Sequence, residues 1–544
     1  MANGKRIARR EILMDQPYLH IPIQIGKGGD SLLRIFSGRY LLHTFRVKLA
    51  TENPVWFPLE LPEMQGKMLY LEVAIDHSDN AKAIDRIVCG GRPEDEPELY
   101  PALYQEPHRP RFHFSCRRGW LNDPNGLFYA NGMWNLYYQH NPLGTGACDR
   151  NVSWGHAVST DLFHWEERRP AVMPNTEHNM CASGSCLPDT ENVLGYGKDA
   201  ILAAFSALGV ATVTNWQLMP ANGQIFAVST DGGNNFRRLP EQPGIPCERG
   251  EPWRDPCIFR DENGYGAAVY ETHDGKHMVA FYRSDDLRSW RRTGFAPDLF
   301  ECPDMFPLTC QETGETRWVL YGGDGAIRIG QYNGEVFCDE ENRNPLDFGR
   351  AVYAGQTFRN APEERKVHIA WACGMGDHRI WDERGMGYEG LPFSQCMTTP
   401  CELKLRRLNG RYYVSRTPVR EIETLRYGSE LLQCPECGEL HLQAGSDYQI
   451  RFTSEEEVAF AVEKLKFSFD PKGRVLTFPN GNTLELNAGQ LEVRILVDET
   501  TVELFFNDLA CATYTMPVED AVFKLEKGHP AEMTRYMLLG IHNQ

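Results

Sequence analysis

The most informative segment of this sequence is Trp120-Leu121-Asn122-Asp123-Pro124-Asn125-Gly126. Asn-Asp-Pro-Asn-Gly is a turn-forming sequence, but here a tryptophan precedes it and an aromatic, glycine-bounded run follows at residues 133–138. Runs rich in aromatic and β-branched residues predict strands. We therefore expect Asp123 at a turn or strand edge in a β-sheet protein, with neighbouring residues that hold its carboxylate still.

A near-repeat indicates which kind of sheet protein this is. A serine, an aspartate two residues later and a following aromatic side chain occur at residues 159–165, 229–236 and 284–290, each after a strand-like segment. Ser and Asp side chains bond to nearby backbone groups and tighten a turn. The copies start 70 and 55 residues apart, about the length of four short strands with their loops, which is one blade of a β-propeller. Three unrelated hairpin turns are the alternative.

The remaining sequence predicts an all-β protein with three units. Long amphipathic helix patterns are absent between residues 105 and 405, and residues 491–497 and 502–506 alternate like half-buried antiparallel strands of a sandwich. We expect an N-terminal β-rich accessory domain at residues 1–104, a β-propeller at 105–405 and a C-terminal β-sandwich at 406–544. The accessory domain is open to three interpretations: a docking platform, an oligomer contact or a sugar-binding module.

Two further segments carry carboxylates, Arg254-Asp255-Pro256 and Glu301-Cys302-Pro303-Asp304. Cleavage of a glycosidic bond needs carboxyl groups in different surroundings, because one must stay ionised and another must hold a proton near neutral pH. Arg254 is expected to keep nearby carboxylates ionised. Glu301 follows Phe300 in an apolar segment, and an apolar setting favours the protonated form of a carboxyl group.

These motifs resemble those of glycoside hydrolase family 32, which contains invertases, exo-inulinases, levanases and related fructosyltransferases. The resemblance runs from Arg111 to the C-terminus and includes Tyr137-Tyr138-Gln139-His140-Asn141-Pro142, Trp154-Gly155-His156-Ala157-Val158-Ser159, Ala182-Ser183-Gly184-Ser185, Tyr353-Ala354-Gly355-Gln356-Thr357-Phe358 and Leu391-Pro392-Phe393. It implies a catalytic propeller of five blades followed by a β-sandwich, and a retaining double displacement. The expected activity is release of fructose from the non-reducing end of sucrose, fructo-oligosaccharides, or levan- or inulin-type chains.

The resemblance also implies roles for particular residues. Asp123 would be the nucleophile, Glu301 the acid/base and Asp255 the stabiliser of the transition state. Six more residues are expected to bind substrate: Asn122, Gln139, Ser183, Arg254, Cys302 and Trp371. No metal and no other cofactor is expected, because carboxylates alone carry the sugar chemistry. Trp154 and His156 are expected to be core residues.

The chain departs from the family pattern at the sugar pocket. The family's Trp-Gly-Asn segment is replaced by residues 146–153, which contain no tryptophan, and Ala182 stands where the family has phenylalanine. Either two apolar walls are missing, or Trp216 or Trp253 supplies them. A pocket that is wider, or that contains Asp149 and Arg150, would favour a different or a decorated fructoside, so the preferred substrate stays open.

Composition restricts the partners. The 74 acidic and 56 basic residues give a net charge of −18, which argues against nucleic acid and anionic membranes, whereas a neutral saccharide is indifferent to charge. No apolar run reaches the length of a membrane span, and no secretory signal is visible in residues 1–16. We expect a cytoplasmic protein, or a secreted one if a leader was removed, with homo-oligomers formed through the N-terminal or C-terminal domain as a further expectation.

The sixteen cysteines are spread over a long chain, and we interpret most as reduced, small hydrophobic residues. Cys434-Pro435-Glu436-Cys437 has the spacing of half a zinc site. A structural zinc needs four ligands, and no second Cys-x-x-Cys occurs in the sequence. A turn between two strands is therefore the favoured interpretation of this segment.

Three other functions stay open on the sequence alone. A fructosyltransferase would use the same carboxylates with a sugar in place of water. A non-catalytic fructan-binding protein is disfavoured because all three carboxylates are present, and a propeller glycosidase acting on arabinosides or xylosides is disfavoured by the motif around Asp123.

Overall fold

The structure is a computed structural model that describes residues 6–25, 31–75, 80–146, 151–173, 180–208, 223–241, 244–245, 253–373, 388, 390–433, 438–453 and 456–542. Regular structure in these residues is almost entirely β, which confirms the predicted all-β class. The helices among them are short 3-10 turns: Pro62–Met64, Asn80–Arg86, Pro93–Asp95, Pro362–Glu364, Arg420–Leu425 and Val518–Asp520. No helix in the described ranges is long and apolar enough to cross a membrane.

The N-terminal unit consists of two sheets that share one apolar core. Its strands are β1 (Arg6–Leu13), β2 (Tyr18–Ile23), β3 (Ser31–Ser37), β4 (Tyr40–Val47), β5 (Val55–Glu60), β6 (Met68–Ile75) and β7 (Val88–Gly90). The sheet orders are β1-β6-β3-β4 and β5-β2-β7. Alternate residues of β3 are buried, and they pack with residues such as Phe45 and Phe57 between the sheets.

Five sheets follow along the described chain, and their pairing is antiparallel except where β26 runs parallel to β8. Their strands are β8 (Gly119–Ala130), β9 (Met133–Asn141), β10 (Ser153–Ser159) and β11 (Trp165–Val172); β12 (Met180–Pro188), β13 (Ile201–Leu208), β14 (Gly223–Ser229) and β15 (Arg237–Arg238); β16 (Trp253–Asp261), β17 (Gly264–His273), β18 (Lys276–Ser284) and β19 (Arg291–Pro297); β20 (Asp304–Thr309), β21 (Thr316–Tyr321), β22 (Ala326–Tyr332) and β23 (Phe337–Pro345); and β24 (Val352–Thr357), β25 (Val367–Ala372), β26 (Phe393–Ser394), β27 (Cys396–Met397), β28 (Cys401–Leu408) and β29 (Arg411–Pro418). Strand β26 pairs with β8 in the first sheet, and the fifth sheet has the order β24-β25-β28-β29, with β27 beside β25. The first strand of each sheet contacts the first strand of the next, and β24 contacts β8, so the inner strands close a ring.

The near-repeat occupies equivalent places in the first three sheets. Each copy joins the third strand of its sheet to the fourth. In the first copy the Ser159 hydroxyl donates to Asp161 at 3.0 Å, and Asp161 accepts the backbone N–H of His164 at 2.8 Å. The copies that begin at Ser229 and Ser284 make the same kinds of bond. The predicted turn-tightening role of these residues is confirmed.

The C-terminal unit is a second pair of sheets, each with six strands in the described residues. Its strands are β30 (Arg426–Leu431), β31 (Glu439–His441), β32 (Ser446–Phe452), β33 (Val458–Val462), β34 (Leu465–Asp470), β35 (Val475–Thr477), β36 (Thr483–Glu485), β37 (Glu492–Val497), β38 (Thr501–Phe506), β39 (Ala510–Thr515), β40 (Val522–Lys527) and β41 (Pro530–Leu538). The orders are β30-β41-β32-β37-β38-β39 and β31-β40-β33-β34-β35-β36. Strand β28 crosses residue 405, and the fifth sheet continues to Pro418. The division at residues 104 and 405 stays a prediction.

A buried charge cluster joins the ring of sheets to the C-terminal unit. His113 Nδ1 lies 2.8 Å from Asp498 Oδ2, and His113 Nε2 lies 3.0 Å from Glu503 Oε2. Burial alone would lower the pKa of His113, but hydrogen bonds to the two carboxylates outweigh burial and raise that pKa to about 9. The imidazole is therefore charged at neutral pH and ties two buried carboxylates together.

Replacing His113 by glutamine removes this cation and leaves two buried carboxylates without it. We expect a loss of about 3 kcal/mol in the free energy of unfolding near pH 6, measured by urea denaturation. Folding raises the pKa of His113 from 6.5 to about 9, so its contribution is complete below pH 6.5 and is lost as the pH rises through about 9.

His529 provides the control, because it contacts Glu456 at 2.8 Å on the surface. His529→Gln should change the free energy of unfolding by less than about 0.5 kcal/mol. Equal effects of the two substitutions, or a His113→Gln effect that persists above pH 10, would contradict the prediction.

Candidate active site

Four of the five inner strands are irregular where they carry chemically active residues. The strand register shifts between Leu121 and Pro124 in β8, between Cys181 and Gly184 in β12, between Arg254 and Cys257 in β16, and between Tyr353 and Gln356 in β24. A bulge bends a strand and redirects the side chains within it. Asp123, Ser183 and Asp255 lie inside three of these bulges, and Glu301 precedes the fourth inner strand, β20.

The backbone at two of the carboxylates is left-handed. The φ angle is +61° at Asp255, +22° at Glu301 and +43° at Cys302. Such angles cost non-glycine residues about 1–3 kcal/mol and persist where the surroundings enforce them, often at functional sites. Here the Gly323 N–H donates to the Glu301 carbonyl at 2.7 Å, and the Cys302 N–H donates to Asp255 Oδ2 at 3.2 Å. The site is held by contacts between separate sheets.

Asp123 is buried and surrounded by donors. Ser183 donates to Asp123 Oδ2 at 2.7 Å, Gln139 donates to the same oxygen at 3.1 Å, and Asn122 donates to Oδ1 at 3.1 Å. Burial raises the pKa of Asp123 to about 6; the Ser183 bond opposes this rise, and the Glu301 charge adds to it. Asp123 is therefore mainly ionised at neutral pH but takes up a proton more easily than an exposed aspartate.

Asp255 shares a neighbour with Asp123. The Cys302 thiol donates to an oxygen of each carboxylate at 3.5 Å, and Arg254 Nε lies 3.4 Å from Asp255 Oδ2. Burial raises the pKa of Asp255 to about 7; the Arg254 cation opposes this rise, whereas Glu301 and Asp123 add to it. Arg254 therefore acts on Asp255 in the expected direction, but desolvation and the two like charges together outweigh its effect on the pKa.

Glu301 lies in a polar setting, which corrects the expectation of an apolar one. Arg254 donates to Glu301 Oε2 at 2.5 and 3.1 Å, and the Tyr353 hydroxyl donates to Oε1. The Phe300 ring packs instead on His277 at 4.8 Å. The neighbour in sequence is apolar, but the neighbours in space are a cation and a hydroxyl.

Trp371 lies one layer behind the carboxylates. Its indole N–H donates to Gln395 at 3.1 Å, and its ring meets the rings of Trp120 and Tyr353 edge-on at 6.0 and 5.8 Å. The Trp120 N–H in turn donates to Asn122 at 2.8 Å. With 5% of its surface exposed, Trp371 supports the residues around the site, and its role as a stacking wall stays a prediction.

The other aromatic candidates lie elsewhere. Trp154 and His156 are fully buried, as predicted for core residues. Trp253 packs in the apolar core shared by the second and third sheets. Trp216, Asp149 and Arg150 lie outside the described residues.

Three residues at the site were not among the sequence-based candidates: Tyr353, Ser206 and Tyr270. Ser206 Oγ accepts the Asp255 N–H at 2.8 Å, and the Arg254 guanidinium lies 4.4 Å from the centre of the Tyr270 ring. Tyr353 stands in a motif that the sequence analysis singled out, so that motif was a usable signal. Ser206 and Tyr270 lie in ordinary strands without a local signal.

No group of three or more His, Cys, Asp or Glu side chains in the described ranges is placed to hold a metal ion. The twelve described cysteines have free thiols, and ten of them are buried. The Cys434-x-x-Cys437 pair lies outside the described residues, so its interpretation as a turn stays a prediction.

Comparisons with known proteins point to one family. A family model described as the glycosyl hydrolases family 32 N-terminal domain matches residues 113–417. The extracellular exo-inulinase inuE of Aspergillus ficuum is 28% identical over 359 residues, which cover 58% of this chain and 65% of the relative. The levanase of Bacillus subtilis is 28% identical over 466 residues, which cover 75% of this chain and 66% of the relative. The chain thus spans about two thirds of the length of these two relatives.

A crystal structure of the exo-inulinase of Aspergillus awamori superimposes with a TM-score of 0.65 and 22% identity, covering 80% of this chain and 99% of that one. This likeness shows a shared fold and confirms the predicted propeller followed by a sandwich. The family model begins at residue 113, so the N-terminal unit, β1 to β7, lies outside it.

Removing the Ser183 hydroxyl tests the account of Asp123. Ser183→Ala should raise the pKa of Asp123 above its value of about 6, because the closest hydrogen-bond donor to the ionised form is lost. An NMR titration of isotope-labelled aspartate carboxyls measures this value. Ser153→Ala is the matched control, since Ser153 donates to the His140 carbonyl at 2.9 Å; an unchanged pKa in Ser183→Ala would refute the assignment.

Chelation tests the expectation of metal independence. Dialysis against EDTA should leave the melting temperature and the turnover unchanged, because carboxylates, one guanidinium and neutral donors make up the site described above. A loss of turnover that zinc or calcium restores would overturn this expectation.

Proposed function

The chain belongs to glycoside hydrolase family 32, and from this we propose that it is a retaining β-fructofuranosidase that releases fructose from the non-reducing end of β-fructosides. One observation carries the proposal. Asp123 and Asp255, from two sheets, both contact the thiol of Cys302, and Glu301 immediately precedes that cysteine. The inner ring thus gathers three carboxyl groups, and double displacement requires a nucleophile and an acid/base among them.

In the first step Asp123 attacks the anomeric carbon of the fructosyl unit. Glu301 gives its proton to the oxygen of the departing sugar, so the glycosidic C–O bond breaks as an ester to Asp123 forms. In the second step Glu301 takes a proton from water, the water oxygen attacks the same carbon, and Asp123 leaves as a carboxylate. Two inversions give net retention.

Asp255 and Arg254 act on the sugar and on Glu301. Asp255 would accept hydrogen bonds from fructose hydroxyls and stabilise the positive charge that develops on the ring. Arg254 donates to Glu301 Oε2, whereas in the first step this carboxyl group must carry a proton for the departing sugar. We propose that sugar hydroxyls compete for Arg254 and so release Glu301 to hold its proton.

Sucrose, fructo-oligosaccharides and levan- or inulin-type chains are the proposed substrates. The matched relatives are named an exo-inulinase and a levanase, and a yeast invertase 1 also matches, with 30% identity over 286 residues. These names describe hydrolases, so transfer to a sugar acceptor is not favoured. Ala182 stands where the family has phenylalanine, so the order of preference among these substrates is left to the substrate panel below.

A product analysis tests the proposed function. The enzyme is incubated with sucrose, kestose, levanbiose, inulin and levan, and released fructose and transfer products are quantified. NMR of the first product should show β-fructofuranose before mutarotation. Predominant transfer products would favour a transferase, inverted product would exclude the mechanism, and the absence of fructose from every substrate would refute the function.

Substitution of the reacting carboxylates tests their roles. Asp123→Asn and Glu301→Gln should each lower kcat by about a thousandfold or more without changing the melting temperature, because solvent replaces neither nucleophile nor acid/base. Asp298→Asn is the control, since the Asp298 side chain is 73% exposed, and it should stay within about twofold of wild type. Turnover above about a tenth of wild type in Asp123→Asn would mean a different nucleophile.

The pH profile of kcat/KM should be bell-shaped. On the acidic side kcat/KM should fall as the pH drops through about 6 to 7, because Asp123 and Asp255 gain protons with pKa values of about 6 and 7. The two carboxyl groups interact, so the acidic limb reports their joint titration. Residual activity of Glu301→Gln should lack the alkaline limb, because this variant has no acid/base carboxyl group. An acidic limb below pH 4 would show that burial does not govern these carboxylates.

A further inference from the structure

A cleft of about 670 Å³ lies away from the catalytic carboxylates, where three parts of the molecule meet. The N-terminal unit contributes residues such as Tyr18 and Glu94, strand β11 contributes Trp165 and Arg168, and the end of the chain contributes His542. None of the side chains that bond to Asp123, Asp255 or Glu301 in the described structure lines this cleft. Its volume falls in the range of small-molecule sites, which often lie between domains.

The charges in the cleft nearly cancel. Four arginines and five acidic residues line it, and opposite charges pair: Arg117 lies 2.8 Å from Glu94, and Arg168 lies 3.7 Å from Glu166. Such a lining offers many donors and acceptors with little net charge. Sugar hydroxyls both donate and accept, so this lining suits a neutral polyhydroxylated ligand better than an ion.

Two aromatic groups in the cleft are held in fixed orientations. Trp165 is half-buried, and its ring meets the ring of Phe114 edge-on at 5.9 Å. The Tyr104 ring stacks on His542 with centroids 4.4 Å apart and planes 10° apart. Flat aromatic side chains supply apolar contact area at low entropic cost, and the C–H face of a sugar ring packs against such surfaces.

The lining also has buried polar atoms that the protein leaves unsatisfied. Arg117 Nε and His542 Nε2 are buried and have no hydrogen-bond partner among the described residues. Buried polar atoms nearly always have a partner, and both residues line the cleft. Burial lowers the pKa of His542 to about 4, so its ring is neutral at neutral pH and adds no charge to the lining.

We propose that this cleft is a second saccharide-binding site, which takes a short β-fructoside of the same chemistry as the catalytic substrate. The identity of the sugar rests on the proposed function, whereas the existence of a neutral-sugar site rests on the cleft itself. A chain of contacts connects the cleft to the active site. Glu167 lines the cleft and accepts the Tyr138 hydroxyl at 3.2 Å, and the adjacent Gln139 donates to Asp123.

Calorimetry with kestose tests the proposal in full-length Glu301→Gln, which does not consume the sugar. We expect two binding sites per chain. Adding Trp165→Leu removes the flat ring but keeps an apolar contact with Phe114, and should weaken the second site at least tenfold. Adding Tyr40→Leu, at a tyrosine that is 67% exposed in the N-terminal unit, is the control and should leave both sites intact.

Further measurements keep the proposal falsifiable. In the otherwise wild-type enzyme, Trp165→Leu should leave the melting temperature unchanged and kcat on sucrose within twofold of wild type. If the Trp165→Leu variant does not fold, Glu94→Gln takes its place and should also weaken binding at the second site. A single site that Trp165→Leu does not weaken, two unchanged sites in the cleft variants, or displacement of kestose from the cleft by inorganic phosphate would overturn the proposal. Failure of the proposed function would instead appear as absent fructose release by the wild type, with one remaining kestose site that Trp165→Leu weakens.

Discussion

The close approach of three carboxyl groups, two of which are buried, sets the demands that the surrounding structure meets. Like charges out of water repel and lose hydration, so each group needs compensation. Asp123 receives neutral donors from two strands, and Arg254 lies between Asp255 and Glu301. Burial still prevails, with pKa values of about 6 for Asp123 and about 7 for Asp255. The ionised forms that double displacement needs from these two groups are therefore favoured only as the pH rises through about 6 to 7.

The arrangement of the inner strands around the ring makes the burial of Asp123 and Asp255 possible. Donors for one carboxylate come from different sheets, so the inner strands must stay in register with each other around the ring. Bulges redirect the active side chains, and left-handed backbone at Asp255, Glu301 and Cys302 stores strain that the surrounding contacts hold in place. The His113 cluster secures the ring against the C-terminal sheets. The ion pairs of His113, which lie outside the catalytic site, thus help to hold the ring that positions the carboxylates.

The sequence predicted those parts of the fold that depend on bonds and patterns between residues close together in the chain. The Ser-x-Asp turns form bonds within four residues, so the pattern revealed the repeated sheets, and alternation in residues 491–506 revealed paired strands. The setting of Glu301 was not predictable in this way. Its partners Arg254 and Tyr353 lie 47 and 52 residues away, and the adjacent Phe300 turns to His277. The residues next to Glu301 in sequence do not indicate these contacts across the ring, and the contacts decide the electrostatics of the site.

Trapping the covalent intermediate identifies the nucleophile. In Glu301→Gln, p-nitrophenyl β-fructofuranoside has a leaving group that departs without a proton, whereas the second step still lacks its base. We expect a burst of nitrophenol equal to the enzyme concentration, and a peptide containing Asp123 that carries the mass of one fructosyl unit. No burst, or a fructosyl group on another residue, would contradict the assignment of Asp123 as the nucleophile.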